Sequence, residues 1–469
     1  EVYIRFLCHN YLQDTGWILR NGPDSQLMTN GMDKTGDAMR RIKTYLIIVN
    51  LIFLTGCANK AMPDIYVENY DYQYRQWSDS IAFPKVQQGS DNIVYIYKNG
   101  FIYYMEEGND VLVPLCNKVD CLHDRETDQQ KIKECNASVD LEELANINPD
   151  KDIAIAKCGD YLYCIPLSCY ETDERILYRY ALDGTAKDVV YKWDGKSSII
   201  VNWIIHRNNL YYAEKRYYEE DEEIKVECTI KRLSLNTFFH RPETVYTAEE
   251  NLRVLTWGNL QAYGNYVYFE IISMLPKEGD SQKEENNGYD YDRLYNKTFV
   301  YDIQADKIEE LQIPDMPKSV HILGVQFWQD QIILDPYDDE KRGDEPMPVY
   351  IADLDGSNMK VLLEDVPQAG YFLSDGEYLY FFDDWMEDID DWLRNPGKYV
   401  VYDKDMQIVD TFMTPLNENG RAQRFPVGDR NRMYFTYEKE DGTWGVKCWE
   451  KKIGEYWGKT ITLTEIMDR

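Results

Sequence analysis

Histidine is scarce in this chain, with five residues in 469. Chemistry built on an imidazole base has few places to sit. No Gly-x-Ser-x-Gly elbow, His-Glu-x-x-His pair or Gly-rich phosphate loop occurs, which removes the serine-hydrolase, zincin and P-loop readings. Positive charge is also short: 51 Lys and Arg stand against 83 Asp and Glu, for a net charge of −32. That balance argues against nucleic acid or an anionic lipid surface as a partner, and favours solubility, cations or basic partners. Sustained helical periodicity is missing after residue 57, and no apolar run reaches the roughly 20 residues of a membrane-spanning helix.

One short apolar run is present, in "MRRIKTYLIIVNLIFLTGCANK", Met39 to Lys60. Arg40, Arg41 and Lys43 make a positive start, Thr44 to Leu54 is the apolar part, and Leu54-Thr55-Gly56-Cys57 has the form of a lipobox. Small residues let a peptidase approach the backbone, and the Cys57 thiol takes the lipid. The expected organisation is upstream sequence joined to the gene at 1–38, a lipoprotein signal at 39–56, a lipidated Cys57 and tether at 57–90, and a folded domain at 91–469. Cys8 and His9 then carry no function. The protein is expected outside the cytoplasm, held to the bacterial cell membrane through its lipid.

The rest of the chain repeats. A turn followed by an aromatic–aliphatic–aromatic triplet recurs as "NGFIYY" at Asn99, "GDYLYC" at Gly159, "NNLYYA" at Asn208 and "GNYVYF" at Gly264. It returns as "DQIILD" at Asp330, "GEYLYF" at Gly376 and "NRMYFT" at Asn431, a mean spacing of about 55 residues. Each triplet from Gly159 to Gly376 precedes a second alternating pair, such as "ILYRYALDGTAKDVVY" from Ile176 or "PVYIADLDGSNMKVLL" from Pro348. Asp183-Gly184 and Asp355-Gly356 suit hairpin turns, because both central residues of a type I′ turn need positive φ. Tyrosine, at 39 residues, fits half-buried strands, where the ring packs and the hydroxyl reaches water. Two hairpins per unit and seven units predict an all-β β-propeller of seven four-stranded blades. A sandwich would leave the repeat unexplained. The ring is expected to close by mixing strands from both ends, near Asp91 to Tyr97 and Lys459 to Ile466.

The links between the two hairpins of a unit fall on one face, and several are long and acidic. They predict a binding face at Tyr217, Tyr218, Glu219, Glu220, Asp221, Tyr337, Asp338, Asp339, Asp383, Asp384, Trp385, Asp388 and Trp392, since insertions on one face of a repeat array often mark the binding side. A protein or a glycan is the expected partner there. Calcium is a weaker expectation, because the spacing does not match an EF-hand.

"LCNKVDCLHDRETDQQKIKECNA" places Cys116, Cys121, His123 and Cys135 within twenty residues. Three thiolates and an imidazole are ligands zinc prefers, and four protein ligands make a closed, structural site. Disulfides are the alternative, because an even number of cysteines is left in an exported chain once Cys8 and Cys57 are set aside. His206, His240 and His321 read as surface or strand-end residues. No catalytic residue is assigned.

The lipobox, the tyrosine-rich units and this Cys stretch together resemble a family of lipoproteins of anaerobic Firmicutes. Their propeller is similar to the low-density-lipoprotein-receptor and TolB-like type. The match lies at Cys116, Cys121, His123, Cys135, Asn136 and Ala137, and the departure is a longer insert, Asp124 to Glu134. The resemblance implies fold and location, and no activity. A lipid-anchored binding or scaffolding module is the expected function. A carbohydrate-active or other hydrolytic propeller, using axial carboxylates, is the alternative.

Overall fold

The computed structural model describes residues 63–74, 86–88, 93–106, 111–139, 153–166, 174–194, 198–220, 223–236, 241–249, 253–276, 289–311, 319–338, 341, 345–367, 371–383, 397–413, 427–428, 432–438 and 444–450. Alternation of buried and half-buried residues makes these segments strands. In Pro346–Ala352, for example, Met347, Val349 and Ile351 are buried while Pro348 and Tyr350 are half-buried.

The first sheet holds β1 (Val86–Gln88), β2 (Ile93–Lys98), β3 (Phe101–Glu106) and β4 (Val113–Pro114). The second holds β5 (Ile153–Cys158), β6 (Tyr161–Pro166), β7 (Glu174–Ala181) and β8 (Lys187–Asp194). The third holds β9 (Ser198–His206), β10 (Asn209–Glu220), β11 (Glu223–Ser234) and β12 (Glu243–Thr247). The fourth holds β13 (Arg253–Tyr263), β14 (Tyr266–Pro276), β15 (Tyr289–Asp302) and β16 (Lys307–Glu310). The fifth holds β17 (Val320–Trp328), β18 (Gln331–Asp338), β19 (Pro346–Ala352) and β20 (Lys360–Pro367). The sixth holds β21 (Tyr371–Ser374), β22 (Leu379–Asp383), β23 (Lys398–Tyr402) and β24 (Ile408–Met413). The last holds β25 (Val427–Gly428), β26 (Arg432–Glu438) and β27 (Trp444–Glu450).

Every sheet is an antiparallel meander in chain order. First strands of neighbouring sheets touch: β1 with β5, β5 with β9, β9 with β13, β13 with β17 and β17 with β21. β25 touches β1, which brings the last sheet against the first and closes a β-propeller. The cores lie between blades. Trp193 of the second blade meets Tyr212 of the third edge-on at 5.6 Å, and Tyr263 of the fourth stacks on Phe327 of the fifth at 5.2 Å.

Three expectations need correction. Six sheets have four strands and the last has three among the described residues, so seven four-stranded blades are not shown. No described sheet mixes strands from the two ends of the chain. β2, one closure candidate, pairs with β1 and β3, and Lys459 to Ile466 lies outside the described residues. The folded unit also starts earlier than 91. β1 is a strand of the first sheet, and Pro63–Tyr74 packs on the blades. With β1 added upstream, the "FIYY" triplet becomes a third strand, whereas the other triplets are second strands.

Antiparallel alternation gives the propeller two unlike ends. In the second to sixth sheets the turns between first and second strands, and between third and fourth, share one end, called here the turn end; in the first sheet, shifted by β1, the β2–β3 turn lies at that end, joined to Gly184 through Asn136–Val139. In the second to sixth sheets the links between second and third strands lie at the other, the hairpin end. There β10 and β11 run twelve residues each, and β14 and β15 eleven and fourteen.

Candidate metal centre and binding face

The Cys stretch leaves and rejoins one edge of β3. The Leu115 N–H donates to Ile102 O (2.9 Å) on the way out. On return, the Ile102 N–H donates to Ala137 O (2.8 Å) and the Val139 N–H to Gly100 O (2.7 Å). Between these points, His123–Arg125 forms one 3₁₀ turn and Gln129–Glu134 a short helix, α1. The Asp128 carboxylate caps α1 by accepting from Gln130 N at 3.0 Å. The longer insert is thus folded into a helix that ends at Cys135, whose N–H donates to Ile132 O at 3.0 Å.

All four expected ligands come together. One ligand atom from each of Cys116, Cys121, His123 and Cys135 lies within 4.8 Å of the others. Cys135 Sγ is 3.7 Å from His123 Nδ1, close to the edge of about 3.6 Å that zinc-like bond lengths give a tetrahedron. His123 sits at φ 55°, a left-handed conformation rare for a non-glycine residue, which the fold around it must hold. Cys116, Cys121 and Cys135 carry no disulfide, so the disulfide alternative is not the arrangement seen at these residues.

Electrostatics fit a cation. Burial, with the neighbouring Cys121 and Cys116, pushes the Cys135 thiol up to about 12. Burial also pushes on Cys116, but N–H groups of Lys118 and Asn136 and the other two thiols outweigh it and hold that thiol below its ordinary value. Three crowded thiols cannot all ionise unaided, and a divalent ion reverses that balance. The donor set therefore fits a thiolate-seeking metal ion. Oxygen-seeking calcium does not suit it.

The same stretch clasps the second blade. Gly184 O, in the β7–β8 turn, accepts from Asn117 N (3.2 Å) and Asn136 Nδ2 (2.8 Å). Lys187 Nζ donates to Ser138 Oγ (2.8 Å) and Lys133 O (2.9 Å), and the Tyr180 hydroxyl to Ser138 O (3.0 Å). The centre thus ties two blades at the turn end.

Sequence reading missed a second feature of that end. Pro63–Tyr74 lies on the turns of successive blades. The Gly159 N–H donates to Asn69 O (2.7 Å), and the Arg207 N–H to Tyr70 O (2.6 Å). Arg207 Nε donates to Asp71 Oδ1 (2.9 Å) with both side chains buried, Nη1 to Asn265 Oδ1 (2.5 Å), and Nη2 to the carbonyls of Pro63 (2.5 Å) and Ile65 (3.0 Å). His206, read as a surface or strand-end residue, ends β9 but is fully buried. Its Nδ1 accepts from Tyr72 N (3.0 Å), and its Nε2–H donates to Gly264 O (2.8 Å). Burial, opposed by the Asp71 charge, drops its pKa to about 4. A Cβ on Gly264 would run into the Asp64 carbonyl. Tyr74 packs against Tyr263 and Phe327 at 5.3 and 5.7 Å. The Arg207–Asn208 turn, at φ 49° and 59°, is the one local signal for this site, since an arginine is an unusual choice there.

The hairpin end holds the expected binding residues that are described. Tyr217, Tyr218 and Glu219 are exposed near the tip of β10, opposite Val226, Lys225 and Ile224 of β11. "YYEEDEE" is therefore mostly paired strand, where a loop was expected, and Glu220 pairs with Glu223. Tyr337 and Asp338 end β18, with Asp338 buried, and Asp383 ends β22. These positions share one end of three blades. Asp221, Asp339, Asp384, Trp385, Asp388 and Trp392 lie outside the described residues, as do Cys57 and His240. Among the described residues no helix is long and apolar enough to cross a membrane.

The chain matches no protein-family model and no curated protein. Solved structures similar to it include the β-propeller domain of the Trilobed protease from Pyrococcus furiosus, at 14% identity and TM-score 0.40, covering 66% of this chain and 86% of that one. Oligogalacturonate lyase from Vibrio parahaemolyticus is similar at 11% identity and TM-score 0.45, covering 83% and 94%. An oligogalacturonate lyase in complex with manganese is similar at 13% identity and TM-score 0.44, covering 81% and 89%. Likenesses at this level carry no argument about activity.

Proposed function

We propose that this chain is a lipid-anchored, extracytoplasmic β-propeller that binds or scaffolds a partner at its hairpin end. The observation that carries this reading is the unequal treatment of the two ends. The turn end holds the Cys/His centre and Pro63–Tyr74, while the hairpin end presents Tyr217, Tyr218 and Glu219 on a twelve-residue strand. Exposed tyrosines beside carboxylates suit a protein surface or a glycan, and the net charge of −32 disfavours nucleic acid. In this reading the three-stranded sheet is a seventh blade, completed by residues near Lys459 to Ile466. The centre takes a zinc ion in a structural role, because four protein ligands leave no open position for chemistry.

A hydrolytic role would need free axial carboxylates. Buried Asp71 is paired with Arg207 and buried Glu214 with Lys231, which gives that role no support from these two groups. Crosslinking on intact cells, followed by recovery of the lipoprotein, tests the binding reading. One reproducible partner, lost when Tyr217, Tyr218 and Glu219 are replaced by Ser, Ser and Gln, is the expected result. Turnover of a glycan or peptide by the purified protein would overturn it.

A further inference from the structure

We infer that Pro63–Tyr74 is an orienting clamp that holds the turn end towards the membrane, so that the hairpin end faces away from it. The inference rests on the lipid anchor at Cys57. It adds a direction to that anchor, and the direction follows from two lengths.

The first length is that of the chain between the anchor and the clamp. Six residue steps separate Cys57 from Pro63, and fully extended they reach about 22 Å. At Pro63 the chain is held, because its carbonyl accepts from Arg207 Nη2 at the β9–β10 turn. The second length is the blade. From that same turn β10 runs Asn209–Glu220, and its eleven steps span about 36 Å. A chain fixed at the turn and limited to about 22 Å cannot pass round a 36 Å blade to bring the hairpin tip to the bilayer.

Without the clamp the geometry would be loose. The next element of the fold is β1, and 29 residues of unclamped chain between Cys57 and Val86 would have a typical span of about 30 Å in any direction. Contacts with four successive blades remove that freedom: Gly159 of the second, His206 and Arg207 of the third, Gly264 and Asn265 of the fourth, and Phe327 of the fifth. The buried Arg207–Asp71 pair makes release costly, since either charge alone would be left without its counterion.

The test uses the full lipidated protein in membrane vesicles carrying a headgroup-linked nitroxide quencher. A fluorescent amino acid is placed at Asp355, in the β19–β20 turn, or at Tyr218, near the hairpin tip. Quenching at Asp355 is expected to exceed that at Tyr218 by about threefold or more, since contact quenching fades over a few ångströms. Inserting twenty Gly/Ser residues between Met62 and Pro63 leaves the clamp and the fold untouched and is expected to erase the difference. Equal or reversed quenching in the unmodified protein would overturn the inference while leaving the anchor standing. Radiolabelled palmitate on the wild-type protein but not on Cys57→Ser reports the anchor separately, and its absence from both would overturn the anchor and this orientation together.

Discussion

Strand β10 begins at one end of the propeller and finishes at the other, and the two ends differ in what they hold. Where it begins, His206 and Arg207 hold Pro63–Tyr74 through buried hydrogen bonds and an ion pair. Where it finishes, Tyr217, Tyr218 and Glu219 are exposed on a hairpin held by its partner strand. The Cys/His centre sits with the first group, against the Gly184 turn. The lesson is a division of labour along a single strand. Contacts between distant segments gather at the turn end, and the side chains of Tyr217, Tyr218 and Glu219 stay exposed at the hairpin end.

The comparison is broken most strongly at the metal centre. Replacing Cys135 with Ser is expected to remove one bound metal ion per chain, read by elemental mass spectrometry, and to lower stability by about 4 kcal/mol in urea unfolding. A disulfide between two of Cys116, Cys121 and Cys135 in the peptide map would defeat that expectation. Breaking the clamp comes next. Arg207→Met leaves Asp71 as an uncompensated buried charge and is expected to cost about 3–5 kcal/mol, while adding Asp71→Asn should return part of the loss. An additive double mutant would show that the pair is not coupled.

Acid attacks the same end by a third route. Unfolded, His206 binds a proton near pH 6.5; folded, it resists protonation down to about 4. Between those values the unfolded chain holds the extra proton, so stability falls as pH drops from 6.5 to 4. The full contribution is present above pH 6.5, and the loss reaches about 3 kcal/mol. Urea midpoints at pH 7 and pH 4.5, with and without His206→Gln, measure it, and a fall of equal size in the variant would assign the effect elsewhere. The smallest effect belongs to the hairpin end. Tyr217→Ser, Tyr218→Ser and Glu219→Gln are each expected to change stability by about 0.5 kcal/mol or less while partner capture is lost. A large destabilisation would mean that these side chains serve the fold.

Much of this architecture was legible because it is written locally. The triplets mark second strands in six sheets, and the Asp183-Gly184 and Asp355-Gly356 turns fall where the pattern puts them, although positive φ, expected at both central residues, is found at the glycines and not at the aspartates. The four ligands of the Cys/His centre were legible for the same reason, since all lie within twenty residues. Where the reading failed, distance along the chain is the cause. His206 looked like a strand end because nothing near it in sequence shows that Tyr72 and Gly264 enclose it. The hairpin tip was misread as loop because charged, tyrosine-rich strand and charged loop have similar composition, and pairing between β10 and β11 decides between them.

By itself the sequence determined the repeat, the strand pattern, the turn positions and the set of metal-ligand candidates, because periodicity and turn chemistry act over a few residues. Tertiary structure alone decided that Arg207 would meet Asp71, 136 residues away, that Asn136 would meet Gly184 of the next blade, and that the first sheet would close against the last. Each of those contacts exists only once whole blades have packed in a ring. A buried charge or thiol carries no local mark of the partner that packing will bring to it.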